Sequence, residues 1–240
     1  MSYLETNGTF TFNGVTSSTY NVWITGGGTY NAPVRRNKEF SIPGRNGSLS
    51  MDENAFEQID HIYPAFIASS FNTNIQGLRN ALLSGKGYKR LTDTYHTDEF
   101  YLARYVGGLE IEVAPGARGG MFDIVFERDP RRFLTSGETE QTFTANGSIS
   151  NPTLFNAKPL IRVTGYGTLT IGSFSATIAN TFAYVDIDSE TQDCYHGTDN
   201  ANAQVTLLNQ KFPEIAPGTN NITISGNITS VKITPRWYRV

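Results

Sequence analysis

Between Gly87 and Leu134 the chain alternates apolar and polar residues with a period of two, which fits extended backbone and not a helix. Leu109, Ile111 and Val113 fall on one side, with Glu110 and Glu112 on the other. Phe122, Ile124 and Phe126 repeat the pattern, with Asp123 and Glu127 opposite. Val106-Gly107-Gly108-Leu109 reads as a two-residue hairpin turn, because primed turns need positive φ where Gly has no Cβ penalty. The loop Ala114–Gly119 separates this hairpin from a further strand, and Pro130 is expected to stop that strand by removing a ladder donor. The segment predicts a β-meander that closes a domain.

Composition changes after it. Most of the charged residues lie in the first half, whereas the second draws its polar surface from Thr, Ser and Asn. Two domains are expected, residues 1–134 and 135–240, joined near Thr135–Gly147. In the first, Thr19–Thr25, Val34–Ile42 and Gln58–Ser69 read as strands. Asn72–Ser84 reads as a helix: Ile75, Leu78, Ala81 and Leu82 share one face, and Gly85 offers a left-handed C-terminal position. The second domain is a string of short strands over 141–145, 160–164, 168–171, 173–178, 184–187, 193–196, 221–225 and 230–234. Turn signals at Asn146-Gly147, Asn151-Pro152, Gly165–Gly167, Pro217-Gly218 and Gly226-Asn227 separate them. This spacing predicts an antiparallel sandwich of jelly-roll type. The fold class is therefore mainly β, a β-sandwich-like first domain with one α-helix and a second antiparallel sandwich.

The residues supply little chemistry. With a formal net charge of -3, the chain has no strong hold on phosphate backbones, which argues against nucleic-acid binding. Arg35-Arg36, Lys38 and Arg131-Arg132 sit beside acids and read as salt-bridged strand ends. Cys194 is the single cysteine, so no internal disulfide forms, and it reads as a small packed side chain despite His196 two residues on. The first residues carry no basic and apolar signal pattern, and no apolar run reaches membrane-spanning length. Gly26-Gly27-Gly28 lacks the Lys-Ser/Thr of a phosphate loop. His61, His96 and His196 are not spaced as metal ligands. Alternation puts Asp186, Asp188 and Glu190 on one strand face, an arrangement that fits a hydrolase pair less well than a strand entering a polar turn. Trp23 is expected in the core, and Trp237 with Tyr238 anchors the chain end or offers a stacking surface. No cofactor, metal or catalytic centre is expected.

Several motifs, taken in order, carry a resemblance. They are Phe40-Ser-Ile-Pro-Gly-Arg-Asn-Gly-Ser-Leu49 followed by Asp52, Gly87-Tyr-Lys-Arg-Leu-Thr-Asp93, and Gly120-Met-Phe-Asp-Ile-Val-Phe126 running into Pro130-Arg-Arg-Phe-Leu134. In the second half they are Asn151-Pro152, Pro159-Leu-Ile-Arg-Val-Thr-Gly165, Ile187-Asp-Ser-Glu190, Phe212-Pro-Glu-Ile-Ala-Pro-Gly-Thr-Asn220 and Pro235-Arg-Trp237. Together they resemble the distal tail protein (Dit) family of siphophages infecting Gram-positive bacteria. The positions that carry it are Gly44, Arg45, Gly47, Gly87, Tyr88, Asp93, Pro130, Phe133, Pro159, Asp188, Pro213, Pro217, Gly218, Asn220 and Trp237.

The resemblance implies a structural protein at the distal end of the phage tail, assembled in the host cytoplasm. Its first domain would build a homohexameric ring, single or stacked, that joins the tail tube to the tail-tip or baseplate apparatus. The implied partners are the tail-tube protein, the tail-associated lysin or tail-fibre hub, and a receptor-binding protein. DNA would be a passenger in the channel, and no membrane is involved. The second domain resembles a galectin-like sandwich. The alternative is a carbohydrate-binding module contacting cell-wall saccharide through that sandwich, although the His-Asn-Pro-Arg type signature of lectin-active galectins is absent.

Overall fold

A computed structural model describes residues 7–113 and 119–240. The chain divides into two compact units, Met1–Arg132 with Val240, and Phe133–Arg239. The first contains β1 (Phe10–Phe12), β2 (Val15–Thr16), β3 (Val22–Ile24), β4 (Arg35–Ser41), β5 (Ser48–Phe56), β6 (Ile59–Ile67), β7 (Lys89–Asp93), β8 (Glu99–Tyr105), β9 (Ile111–Val113) and β10 (Gly120–Leu134). One helix, α1 (Phe71–Ser84), lies between β6 and β7. The main sheet runs β2-β1-β7-β8-β10-β6-β3, with β9 also on β10, while among the described residues β4 and β5 pair only with each other.

Alternation places the core as expected along β6 and β10. Tyr63, Ala65 and Ile67 on β6 and Phe122, Ile124 and Phe126 on β10 are buried, with Phe126 opposite His61 in the register. Phe10 stacks on Tyr63 and meets Phe126 edge-on, each pair of ring centres 5.7 Å apart. Leu78 and Leu82 of α1 complete the cluster, each buried aliphatic side chain contributing about 2 kcal/mol.

Local signals failed where longer-range pairing overrode them. The expected hairpin at Val106–Leu109 does not form. Neither Gly107 nor Gly108 has the positive φ a primed turn demands, and β8 and β9 both lie against β10, on the edge opposite β6. Pro130 does not end the last strand, which continues to Leu134. Pairing with β6 finishes at Arg128, so the proline removes no donor that this ladder uses. Of the loop Ala114–Gly119, residues 114–118 lie outside the described residues. Gly85 is extended (φ -85°, ψ 113°), and Gly87 takes the left-handed conformation instead (φ 69°). Residues 17–20 form a 3-10 turn ending on Asn21 with φ 51°, which shortens the strand expected over Thr19–Thr25. Within what remains, Val22 and Ile24 are buried while Trp23 faces the other side and is half-buried, so Trp23 is not a core residue.

The second unit contains β11 (Gln141–Phe143), β12 (Gly147–Asn151), β13 (Leu160–Ile171), β14 (Phe174–Ile178), β15 (Tyr184–Asp188), β16 (Asp193–His196), β17 (Asp199–Asn200), β18 (Val205–Leu207) and β19 (Gly218–Thr234). Its sheet runs β11-β19-β13-β15-β16-β17, with β12 on β19, β14 on β13 and β18 on β14. The long partners β13 and β19 each replace two expected short strands. Gly165–Gly167 and Gly226 are therefore not turns: Gly167 faces Gly226 in mid-ladder, beside a bulge at Thr164/Gly165. A Cβ on Gly165 would lie 2.2 Å from the Asn227 carbonyl oxygen, so the two strands approach too closely for any side chain there. Ile161, Val163, Val185, Ile187, Val231 and Ile233 fill the interior.

Candidate functional site

The ribbon β4–β5 leaves apolar side chains uncovered by its own chain. Its register sets Phe40 opposite Leu49 and Lys38 opposite Met51, so these share one face, and Glu39, Ser41, Ser48, Ser50 and Asp52 share the other. Phe40, Leu49 and Met51 are each about half exposed, and Val34 and Ile42 at the strand ends are open as well. Lateral ties hold the pair together: Arg35 Nη1 donates to Asp52 Oδ2 at 2.8 Å, and Lys38 meets Glu53 at 2.8 Å. Such surface pairs add little to stability, and an isolated two-stranded ribbon is marginal in water. The apolar stripe on this ribbon is uncovered in the single chain, which makes it a candidate docking surface.

The ribbon's tip holds three of the motif residues. Arg45 donates its backbone N–H to the Ile42 carbonyl at 3.1 Å, between Gly44 (φ 80°) and Gly47 (φ 81°). A Cβ at either glycine would meet nothing within 4 Å, so it is the left-handed backbone and not crowding that favours glycine here. Gly87 supplies the bend after α1. The Tyr88 hydroxyl accepts from Gln58 Nε2, and Arg104 lies over the Tyr88 ring at 5.8 Å.

Asp93 ends β7 as a buried acceptor. It takes the Tyr63 hydroxyl at 2.7 Å, the backbone N–H groups of Tyr95 and His96 at 2.8 Å, and His96 Nδ1 at 2.9 Å. Burial, reinforced by the Asp93 charge, pushes the Tyr63 hydroxyl far above its ordinary pKa, so it remains a donor. Such a carboxylate fixes a loop and is not free for acid–base work. Pro130 sits within β10, near the end of the first unit.

The remaining motif residues lie in the second unit. Phe133 is buried beside the Tyr238 ring, and Trp237 is buried in the core. The Pro159 carbonyl accepts from Ser189 N–H at 3.1 Å. Pro213 is buried and Pro217 exposed, followed by Gly218 at φ 79°. Asn220 Nδ2 donates to the Ala216 and Gly218 carbonyls at 2.8 and 3.0 Å, locking that turn.

The acidic run is divided among arginines. Arg162 grips Asp186 with two hydrogen bonds of 2.7 Å, and Arg236 grips Asp188 at 2.7 and 3.0 Å. Burial works against the Asp188 anion, but Arg236 and the backbone N–H groups of Glu190 and Thr191 outweigh it and hold the pKa below its ordinary value. Glu190 lies beyond the strand, exposed on the turn. Paired carboxylates for hydrolysis are therefore not presented by these three residues. Burial pushes the Cys194 thiol up to about 12, and His196 Nδ1 contacts the Tyr184 carbonyl at 2.9 Å, which leaves the pair without the geometry of a nucleophile and base. Among the described residues no group of three or more His, Cys, Asp or Glu is placed to hold a metal.

A further cluster joins two polar residues at the ends of apolar rows. Arg128 continues the inward face of Phe122, Ile124 and Phe126, and His61 continues that of Tyr63 and Ala65. Extending the same alternation by one step at each end points to both.

No family model matches the chain, and no curated protein matches it. Among solved structures, the chain is similar to the crystal structure of SPP1 Dit (gp 19.1), a paradigm of the hub adsorption apparatus in Gram-positive infecting phages. That match has a TM-score of 0.72 at 14% identity and covers 97% of this chain and 99% of that one. A chain of the phage p2 baseplate in its activated conformation with Sr aligns over 98% of each chain, at 9% identity and a TM-score of 0.46. Over nearly its whole length, this chain carries the fold of Dit.

Proposed function

We propose that this protein is a structural hub of a phage tail tip, placed at the distal end of the tail in the virion. Its subunits close through the first unit into a hexameric ring around a channel for DNA. The ring joins the tail tube to the host-adsorption apparatus, with the tail-tube protein on one side and the lysin or fibre hub and receptor-binding protein on the other. The Dit fold supports this reading, and the observation that carries it is the β4–β5 ribbon, whose apolar stripe of Phe40, Leu49 and Met51 is uncovered in the single chain. A ribbon that reaches a different surface of the next copy makes a heterologous contact, and such contacts form rings when the rotation closes.

The test is solution mass with negative-stain imaging of the wild type and of a Leu49→Lys, Met51→Lys double variant. Wild-type protein, alone or with its tail-tube partner, is expected to form six-membered rings. The double variant should remain monomeric while melting within about 0.5 kcal/mol of wild type, because both positions are exposed. A wild type that stays monomeric in all conditions, or a variant that assembles normally, overturns the reading.

A further inference from the structure

The first unit contains a buried cation that its own carboxylates do not pair. Arg128 is 3% exposed and His61 2% exposed. Arg128 Nε and Nη1 and both ring nitrogens of His61 are buried without a hydrogen-bond partner. The Arg128 guanidinium lies over the Tyr101 ring at 4.7 Å, a contact that offsets only part of the cost of burying a charge. The neighbouring side-chain carboxylates are already engaged, Asp93 by Tyr63 and His96, and Glu99 by Arg132 at 3.4 Å, and Val240 borders the same space. Burial depresses the Arg128 pKa against the opposing field of Tyr101, and the nearby Arg132 adds to the depression.

These groups border a cavity of about 190 Å³, lined among others by His61, His96, Tyr101, Arg128 and Arg132. Tyr101 is pushed up to about 12, chiefly by burial, so its hydroxyl remains a donor at neutral pH. The glycine run that resembled no phosphate loop has its explanation here. A Cβ on Gly27 would fall 2.4 Å from His96 Cε1, and one on Gly28 would fall 2.4 Å from His61 Nε2. Only a run without side chains can close over the two imidazoles.

We propose that this cavity binds one phosphate-class oxyanion, which neutralises Arg128. Two guanidiniums, the His61 imidazole and the Tyr101 phenol offer more donors than the two oxygens of a carboxylate can use, and a guanidinium fork matches a tetrahedral oxyanion in bidentate fashion. The ion binds the folded chain and not the unfolded one, so it raises thermal stability by mass action.

The experiment melts the full chain at neutral pH in sodium chloride, sodium acetate and sodium phosphate of matched ionic strength, and titrates phosphate calorimetrically. The wild type is expected to show a saturable rise in Tm in phosphate alone, with one site per chain. Arg128→Met should abolish both signals. Arg132→Gln, at the more exposed side of the cavity, should keep the fold and weaken phosphate binding about tenfold. If Arg128→Met fails to fold, the wild-type titration and Arg132→Gln decide alone. Equal stabilisation by acetate, no phosphate effect beyond chloride, or a phosphate affinity undiminished in Arg132→Gln overturns the assignment.

Discussion

The two units treat buried charge in opposite ways. In the second, each buried carboxylate of β15 has its own arginine: Asp186 with Arg162 and Asp188 with Arg236, both bidentate. In the first, Arg128 is buried with two nitrogens unbonded, and the β4–β5 ribbon leaves an apolar stripe uncovered. One unit pairs the buried carboxylates of β15 with its own arginines, while the other leaves a buried guanidinium and an apolar stripe without partners in the single chain. An assembling protein can divide its labour this way, with a self-sufficient body and a body finished by its surroundings.

The contrast is breakable. The largest effect is expected from Arg236→Ala, which leaves Asp188 buried and unpaired. Urea unfolding should show a loss of about 3 kcal/mol, and a change near zero would mean that the second unit is not closed by its ion pairs. Gly165→Ala follows, at about 2 kcal/mol, because φ 94° and the facing Asn227 carbonyl both exclude a side chain. Next is the acid limb of stability. Burial, with help from Arg128, depresses His61 to about 4 from its ordinary 6.5. The unfolded chain therefore takes up this proton first, so the contribution is complete above 6.5 and is lost as the pH falls toward 4. The slope is about 1.4 kcal/mol per pH unit. Denaturation at stepped pH in chloride should show that slope in the wild type and a flatter limb in His61→Gln. The smallest effect is assigned to Gly107→Val: its φ is ordinary and the nearest atom to an added Cβ is 3.8 Å away, so a change within about 0.5 kcal/mol is expected. A collapse of that variant would restore the tight turn that the fold lacks.

Period-two alternation was legible from the residues alone, since burial on one sheet face repeats with the pleat; β6 follows it throughout and β10 from Gly120 to Arg128. Punctuation was less legible. Gly107-Gly108, Pro130 and Gly165–Gly167 each permit a turn or a stop, but whether they make one depends on which strand lies alongside, and that partner comes from far along the chain. β10 collects both β8 and β9, and β19 runs unbroken beside β13. The Arg128–His61 cluster was hidden for the same reason. Each residue reads as polar at the end of an apolar row, and only the register of β6 on β10 makes them neighbours. The ribbon's motif, by contrast, showed in the residues because Gly44 and Gly47 are needed by local backbone alone.

The β4–β5 ribbon has a second property besides its stripe. Among the described residues each of its strands pairs with the other and with no third strand, so both outer borders present main-chain amides and carbonyls. A neighbour that adds a strand along either border is recognised by atoms every residue type possesses. Contacts of that kind drift in sequence without losing their grip, whereas Arg35, Lys38, Glu39, Asp52 and Glu53 along the ribbon discourage indiscriminate pairing. A joint of that kind is written in the backbone, so it tolerates changes of side chain along both borders.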